Sequence, residues 1–197
     1  LSRATPLPGS HAEAYLRARG LDTASVDDLL FHPDLAHFQT RAGYPALVAI
    51  VRDQAGEPVG LHRIWLDPAS PAKAALDNPK KSLGTSRGGA IRLFPATSFV
   101  ILTEGIETAL AIRTARSDLP VWAVIAAGHL AECQLPAGIQ EILIAADHDA
   151  NGAGLKAAER LAERVAAEGR RGWVALPPRA GTDFAGGLAP GGTAGGR

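Results

Sequence analysis

Ser98-Phe99-Val100-Ile101-Leu102-Thr103 is an apolar, β-branched run that stops at Glu104-Gly105 and passes directly into the helical pattern of residues 106–114 (IETALAIRT). A short run that is apolar on both sides predicts a strand buried on both faces of a parallel sheet. The same unit recurs downstream. Residues 121–126 (VWAVIA) predict a second strand, 129–133 a short helix, and 141–146 (EILIAA) a third strand. Residues 154–168 (GLKAAERLAERVAAE) place Leu155, Ala158, Leu161, Ala162 and Val165 on one helical face with Gly169 as the stop. Residues 173–176 (WVAL) predict a fourth strand, and Trp65, Trp122 and Trp173 all read as core. Strands alternating with helices predict an α/β fold, a parallel sheet flanked by helices on both faces.

The first half has a different character. Residues 1–10, with two prolines and a glycine, predict a linker, and 11–19 (HAEAYLRAR) a helix ended by Gly20. Residues 25–30 predict a short helix capped by Ser25, with Asp27 and Asp28 in its first turn. Residues 44–51 (YPALVAIV) and 58–66 (PVGLHRIWL), separated by the turn chemistry of residues 53–56, predict a hairpin. Residues 67–90 lack periodicity and predict a long functional loop. The expected division is a linker over 1–10, a small α+β subdomain over 11–95, the parallel-sheet domain over 96–184, and a disordered Gly-rich tail over 185–197.

At 197 residues, 46% hydrophobic and 20% charged, the composition fits a globular fold and excludes a disordered chain. The chain opens on Leu1 and contains no Met, as expected of a domain cut from a longer protein or of a misread start. No apolar run approaches the ~18 residues of a membrane span, and no N-terminal stretch reads as a secretory signal, so a cytoplasmic protein with no membrane partner is expected. The single cysteine, Cys133, excludes an internal disulfide and a cysteine-based zinc site; it reads as a buried small residue. The formal net charge is zero, but it is unevenly spread. Residues 61–93 hold Arg63, Lys73, Lys80, Lys81, Arg87 and Arg92 against Asp67 and Asp77. Residues 100–150 hold Glu104, Glu107, Asp118, Glu132, Glu141, Asp147 and Asp149 against Arg113 and Arg116. A basic segment beside an acidic one suits a site that holds a phosphate chain on one side and metal ions on the other.

In a parallel α/β sheet, sites form at the carboxyl ends of strands, and two strands here end in acids. One is followed by Glu104-Gly105 and Glu107, the other by Asp147-His148-Asp149-Ala150-Asn151-Gly152. Carboxylates converging on one crevice repel each other unless a cation neutralises them. Oxygen donors without a His or Cys set predict Mg²⁺ or Mn²⁺. An EF-hand starting at Asp147 fails, because Ala158 stands where the bidentate Glu belongs and a strand precedes the loop. A haloacid-dehalogenase-type phosphotransferase would take Asp147 as nucleophile but wants Thr where Asn151 stands.

Glu104-Gly105 after a first strand, then Asp147-x-Asp149 after a third, followed by Gly152 and an Ala-rich helix, resemble the Toprim domain of bacterial-type primases, topoisomerases and some nucleases. The resemblance spans residues 98–184. Upstream, Gly60-Leu61-His62-Arg63-Ile64-Trp65-Leu66 and Asn78-Pro79-Lys80-Lys81-Ser82-Leu83-Gly84 look like the small basic subdomain that precedes Toprim in primases, most of all those of phages, plasmids and other mobile elements. The resemblance implies a Toprim-type parallel sheet preceded by a small α+β basic subdomain, and metal-dependent nucleotidyl transfer: RNA primers made from ribonucleoside triphosphates on a single-stranded DNA template. It implies Glu104, Asp147 and Asp149 as catalytic Mg²⁺ (or Mn²⁺) ligands, with Asp183 a further ligand. It places Arg63, Lys80, Lys81 and Arg87 on nucleotide or nucleic-acid phosphates, and Gly105, Glu107, Gly152 and Lys156 around the metal carboxylates. A replicative helicase or a separate zinc-binding module is the implied partner. The alternatives within the resemblance are a Toprim nuclease or phosphotransferase, and a catalytically silent nucleic-acid-binding accessory protein.

Overall fold

Alternation of side chains decides both sheets of the computed structural model, which describes residues 2–24, 26–125, 127–148, 152–177 and 184. The chain begins with β1 (Thr5–Pro6) and α1 (His11–Ala18). Ser10 caps α1 by accepting the Glu13 N–H at 3.2 Å, while the Glu13 carboxylate accepts the Gly9 N–H at 2.6 Å. This exchange satisfies donors that a helix start otherwise leaves open. Then follow β2 (Leu29–Ala36), β3 (Gly43–Arg52), β4 (Pro58–Trp65) and β5 (Lys80–Gly84), completing an antiparallel sheet ordered β1-β2-β3-β4-β5.

Three stretches depart from the sequence expectation. Residues 5–6, expected in a linker, pair with Phe31 and Leu30 of β2, and the adjoining Leu7 is buried. Pro6 is tolerated there because the strand is at the sheet edge. Residues 27–28 form a turn rather than part of a helix, and β2 begins at Leu29 (Ser25 lies outside the described residues). Asp28 is only 2% exposed and accepts Arg52 Nε at 2.9 Å and Nη2 at 2.7 Å, so a tertiary ion pair overrides the local capping signal. Within the expected loop 67–90, residues 80–84 form β5, whose two lysines hide a strand from propensity but suit an exposed edge.

The second half follows the expected alternation: β6 (Phe99–Thr103), α2 (Ile106–Ala115), β7 (Val121–Ala123), α3 (Ala127–Leu130), β8 (Glu141–Ala145), α4 (Ala153–Ala167) and β9 (Arg171–Ala175). Its strands are parallel and ordered β7-β6-β8-β9. One face of this sheet, carrying Ile101, Val121, Ala123 and Ala145, packs on Ile106, Ala109 and Leu110 of α2. The other, carrying Val100, Leu102, Trp122, Ile142 and Ile144, packs on Leu130 of α3 and Leu161 and Val165 of α4. Trp65 and Trp122 are buried, whereas Trp173 is 46% exposed because β9 is the sheet edge. No helix among the described residues is long and apolar enough to cross a membrane.

The two halves share one core. Leu16 of α1, Leu47, Ala49 and Val51 of β3 and Ile64 of β4 belong to the same buried cluster as α2 and the first face of the parallel sheet. A two-residue segment fastens them together. Ala90 exchanges both backbone hydrogen bonds with Arg52, and Ile91 exchanges both with Ala123 of β7, at 2.8 to 3.0 Å. We expect Ile91→Ala, which empties a fully buried position, to cost about 2–5 kcal/mol in urea unfolding. The loss should appear as one shifted transition rather than as release of one half, because the cavity opens in a core that both halves use.

Candidate metal and nucleic-acid site

β6 and β8 are neighbours, with Thr103 opposite Ala145, so the residues that follow them leave the sheet side by side. Glu104 and Asp147 therefore meet at the carboxyl edge, where Glu104 Oε1 accepts the Asp147 N–H at 3.4 Å. Asp147 Oδ1 is shielded from solvent. α4 starts over this pair. A Cβ on Gly154 would lie 2.4 Å from Glu104 Oε1 and 2.9 Å from the Asp147 carbonyl oxygen, so the helix approaches the Glu104 carboxylate and the Asp147 backbone this closely only because residue 154 is glycine. Sequence reasoning passed over Gly154; the available signal was a second glycine two residues after Gly152, within a helical pattern that elsewhere uses Ala for small positions. Gly152 is the α4 N-cap at φ 65°, a left-handed conformation that favours glycine. Gly105, the α2 N-cap, is extended at φ −129°, a backbone conformation open to any residue.

Asp149, Asn151 and Asp183 lie outside the described residues. Among the described residues no three His, Cys, Asp or Glu side chains form a group that could hold a metal. The pair that is described fits a hard divalent cation: two carboxylates from adjacent strand ends, under a helix start kept free of side chain, with oxygen donors alone. The ring of His148 is turned away, with Nδ1 2.9 Å from the Pro177 carbonyl oxygen. Lys156 stands exposed in the first turns of α4. Cys133 is fully buried, and burial pushes its thiol up to about 12, as suits an inert core position.

Glu107 faces the antiparallel subdomain. Its Oε1 accepts the Tyr15 hydroxyl at 2.5 Å and the Lys73 ammonium at 2.8 Å, with Arg19 Nε at 3.7 Å. Burial pushes its carboxyl up, but the hydrogen bonds from Lys73 and Tyr15 and the charges of Lys73 and Arg19 outweigh this and hold it below the usual carboxylate value. Burial, together with that carboxylate, raises the Tyr15 phenol. Lys73 was absent from the sequence-derived candidates, since a lone lysine in a Pro- and Ala-rich stretch carries no spacing signal.

The basic residues of the subdomain divide between two faces. Arg63 of β4 is opposite Lys81 of β5, and His62 is opposite Ser82. Arg63 and Lys81 lie on the outer face, where Arg63 stacks 5.0 Å from the Trp65 ring centre and Lys81 lies 5.5 Å from that of Phe38. Lys80, one residue earlier, shares the opposite, inner face with His62, whose Nδ1 is 3.1 Å from Ser82 Oγ. Arg87 forms an exposed ion pair with Glu132 beyond α3. The four candidate cations thus form no single patch.

His62 is buried, and burial, with Lys80 the next cause and Arg63 and Lys73 adding to it against Glu107, lowers its pKa from 6.5 to about 4. Below its ordinary pKa the unfolded chain takes up a proton that the folded chain refuses, so this group removes stability as pH falls from 6.5 toward about 4. We expect a slope of up to about 1.4 kcal/mol per pH unit in that window, seen in urea titrations at several pH values and flattened by His62→Gln. We also expect Gly154→Ala to lower Mn²⁺ affinity about 10- to 100-fold in calorimetry, since the added Cβ must displace Glu104.

Residues 99–194 match the family model of the Toprim domain, and residues 1–93 match a domain of unknown function (DUF7146). No curated protein matches the chain. Among solved structures, the fold is similar to the primase fragment of the bacteriophage T7 primase-helicase protein: 20% identity, TM-score 0.60, covering 87% of this chain and 67% of that one. It is similar to the DnaG primase catalytic domain bound to single-stranded DNA, at 16% identity and TM-score 0.58, covering 91% and 70%. It is also similar to a DNA primase domain from Pseudomonas aeruginosa, at 18% identity and TM-score 0.51, covering 78% of this chain and 51% of that one. The chain therefore spans between half and about two thirds of these relatives' lengths. Its second half is a Toprim domain. The chain as a whole, antiparallel subdomain and Toprim domain together, has the fold of primase catalytic cores.

Proposed function

We propose that the chain is the core of a metal-dependent nucleotidyltransferase that makes RNA primers from ribonucleoside triphosphates on single-stranded DNA. The observation that carries this reading is the meeting of Glu104 and Asp147 at adjacent strand ends beneath Gly154, in a chain whose other half sets Lys73 and Arg19 against Glu107 of the following helix. Glu104, Asp147 and Asp149, with Asp183 as a further carboxylate, are the residues that would hold Mg²⁺ or Mn²⁺. The cation, when bound, neutralises charge on the transferring phosphoryl group and helps bring the 3′-hydroxyl into line with it. The Asp147 N–H orients the Glu104 carboxylate, which would hold the metal or take the proton of the attacking hydroxyl. Lys80 on the inner face and Arg63 and Lys81 on the outer face take phosphates of nucleotide and template, and Arg87 reaches a strand only by leaving Glu132.

The similar T7 fragment comes from a primase-helicase, and in the same manner a helicase or a zinc-binding module on another segment or chain would deliver template to this core. The setting proposed is the cytoplasm, in the replication apparatus of a mobile element. The test is primer synthesis: the chain with single-stranded DNA, labelled ribonucleotides and Mg²⁺ or Mn²⁺, beside Asp147→Ala/Asp149→Ala. Short labelled products that vanish in the variant are expected. A template shortened only by the unsubstituted chain would replace this reading with a Toprim nuclease. Metal-dependent binding without any product would leave a silent binding protein.

A further inference from the structure

Outside the strand-end carboxylates, a set of titratable groups joins α1, the 67–79 excursion, the inner face of β4 and β5, and the first turn of α2: Tyr15, Arg19, His62, Lys73, Lys80 and Glu107. Three cations stand there against one carboxylate, because His62 is held neutral. We propose that Lys73 is a phosphate-binding residue of this chain, with Glu107 as the residue that positions it; the proposal rests on the nucleic-acid reading above.

Lys73 is held from behind as well as at its tip. Its backbone bridges to Leu66, the next residue's N–H donates to Trp65 at 2.9 Å, and Ala74 is buried. The preceding turn is closed by Asp67, whose carboxylate accepts the Ala69 N–H at 2.9 Å and the Ser70 hydroxyl at 2.8 Å. The long excursion is therefore a rigid arm rather than a loose loop. At its tip the ammonium spends one of its three N–H donors on Glu107 and keeps 30% of its side chain exposed. Glu107 already receives the Tyr15 hydroxyl and the charge of Arg19, so its carboxylate has other partners besides Lys73. Glu107 stands three residues from Glu104, which tethers Lys73 to the same strand-to-helix turn that carries the metal-binding carboxylate. A rigidly aimed ammonium with spare donors, among surplus cations, matches a phosphate oxygen. That phosphate belongs either to the template strand or to a nucleoside triphosphate.

Two probes separate these sources: fluorescein-labelled oligothymidylate, titrated at several NaCl concentrations, and Mg·ATP. In one arm Lys73→Met should weaken binding, with the oligothymidylate salt slope shallower by about 0.7 if the strand is the ligand, or Mg·ATP affinity down about tenfold if the triphosphate is. Lys73→Arg should restore most of the loss. Lys73→Met/Glu107→Gln, which removes both charges together, should stay weak. Recovery of binding in that double variant would show that Lys73 only neutralises Glu107 and would overturn the proposal. Unchanged binding of both probes by Lys73→Met, when Lys80→Met weakens either, would overturn it and leave the nucleic-acid reading intact. An unsubstituted chain that binds neither probe would overturn both. Thermal unfolding of each variant identifies one that has lost its fold, and the charge-balanced double variant then carries the decision.

Discussion

The segment at residues 90–91 is the constraint on which the arrangement depends. Ala90 pairs with Arg52 at the end of β3, beyond the reach of β2, and Ile91 pairs with Ala123 on the edge strand β7, so two consecutive residues satisfy open backbone groups of both sheets. Buried backbone groups must be paired, and such a joint cannot slide without stranding donors on both sides at once. Neighbouring side chains reinforce it. Arg92 stacks over Trp122 and donates to the Asp53 and Gln54 carbonyls, while its backbone N–H reaches Asp28. The position of the basic subdomain over α2 follows from this stitch.

With the halves so held, charge is sorted by depth. The Glu104 carboxylate lies against the start of α4, and Lys73 and Arg19 lie against Glu107 in the first turn of α2. Glu107 stays ionised although mostly enclosed because its partners come from two separate elements, α1 and the 67–79 arm. Its hydrogen bonds therefore also serve as a tie between subdomain and Toprim domain. That tie binds elements which are distant in the chain: Tyr15 is 92 residues from Glu107.

The parallel sheet was legible because fully buried strands leave unbroken apolar runs, and Glu104 and Asp147 were legible because acids directly after such runs have no packing role. What escaped reading depended on tertiary partners. Asp28 looks like a first-turn acid until Arg52 is seen to claim it, and Lys73 carries no local signal until the fold brings Glu107 to it. Gly154 is indistinguishable from a weak helix residue until Glu104 occupies the place of its Cβ. β5 was missed because an edge strand is protected by the lysines that disguise it. Trp173 was misplaced for a related reason: a sheet edge exposes what a central strand would bury.

The excursion between β4 and β5 can vary in length, since it leaves the sheet at Trp65 and rejoins it opposite Ile64. The parity of β5 cannot vary. Side chains alternate along a strand, so sliding β5 by a single residue would exchange Lys80 and Lys81 between faces, turn Ser82 away from His62, and present Leu83 to the buried side. Two adjacent lysines that look interchangeable in the sequence are thus separate addresses on opposite sides of a sheet. A homologue that lengthens or shortens this region by an odd number of residues must restore the pairing frame within the excursion itself, where the backbone hydrogen bonds of Ala74 and Pro79 to Trp65 and the contact of His37 with the Asn78 carbonyl leave residues 75–77 as the stretch able to absorb the change.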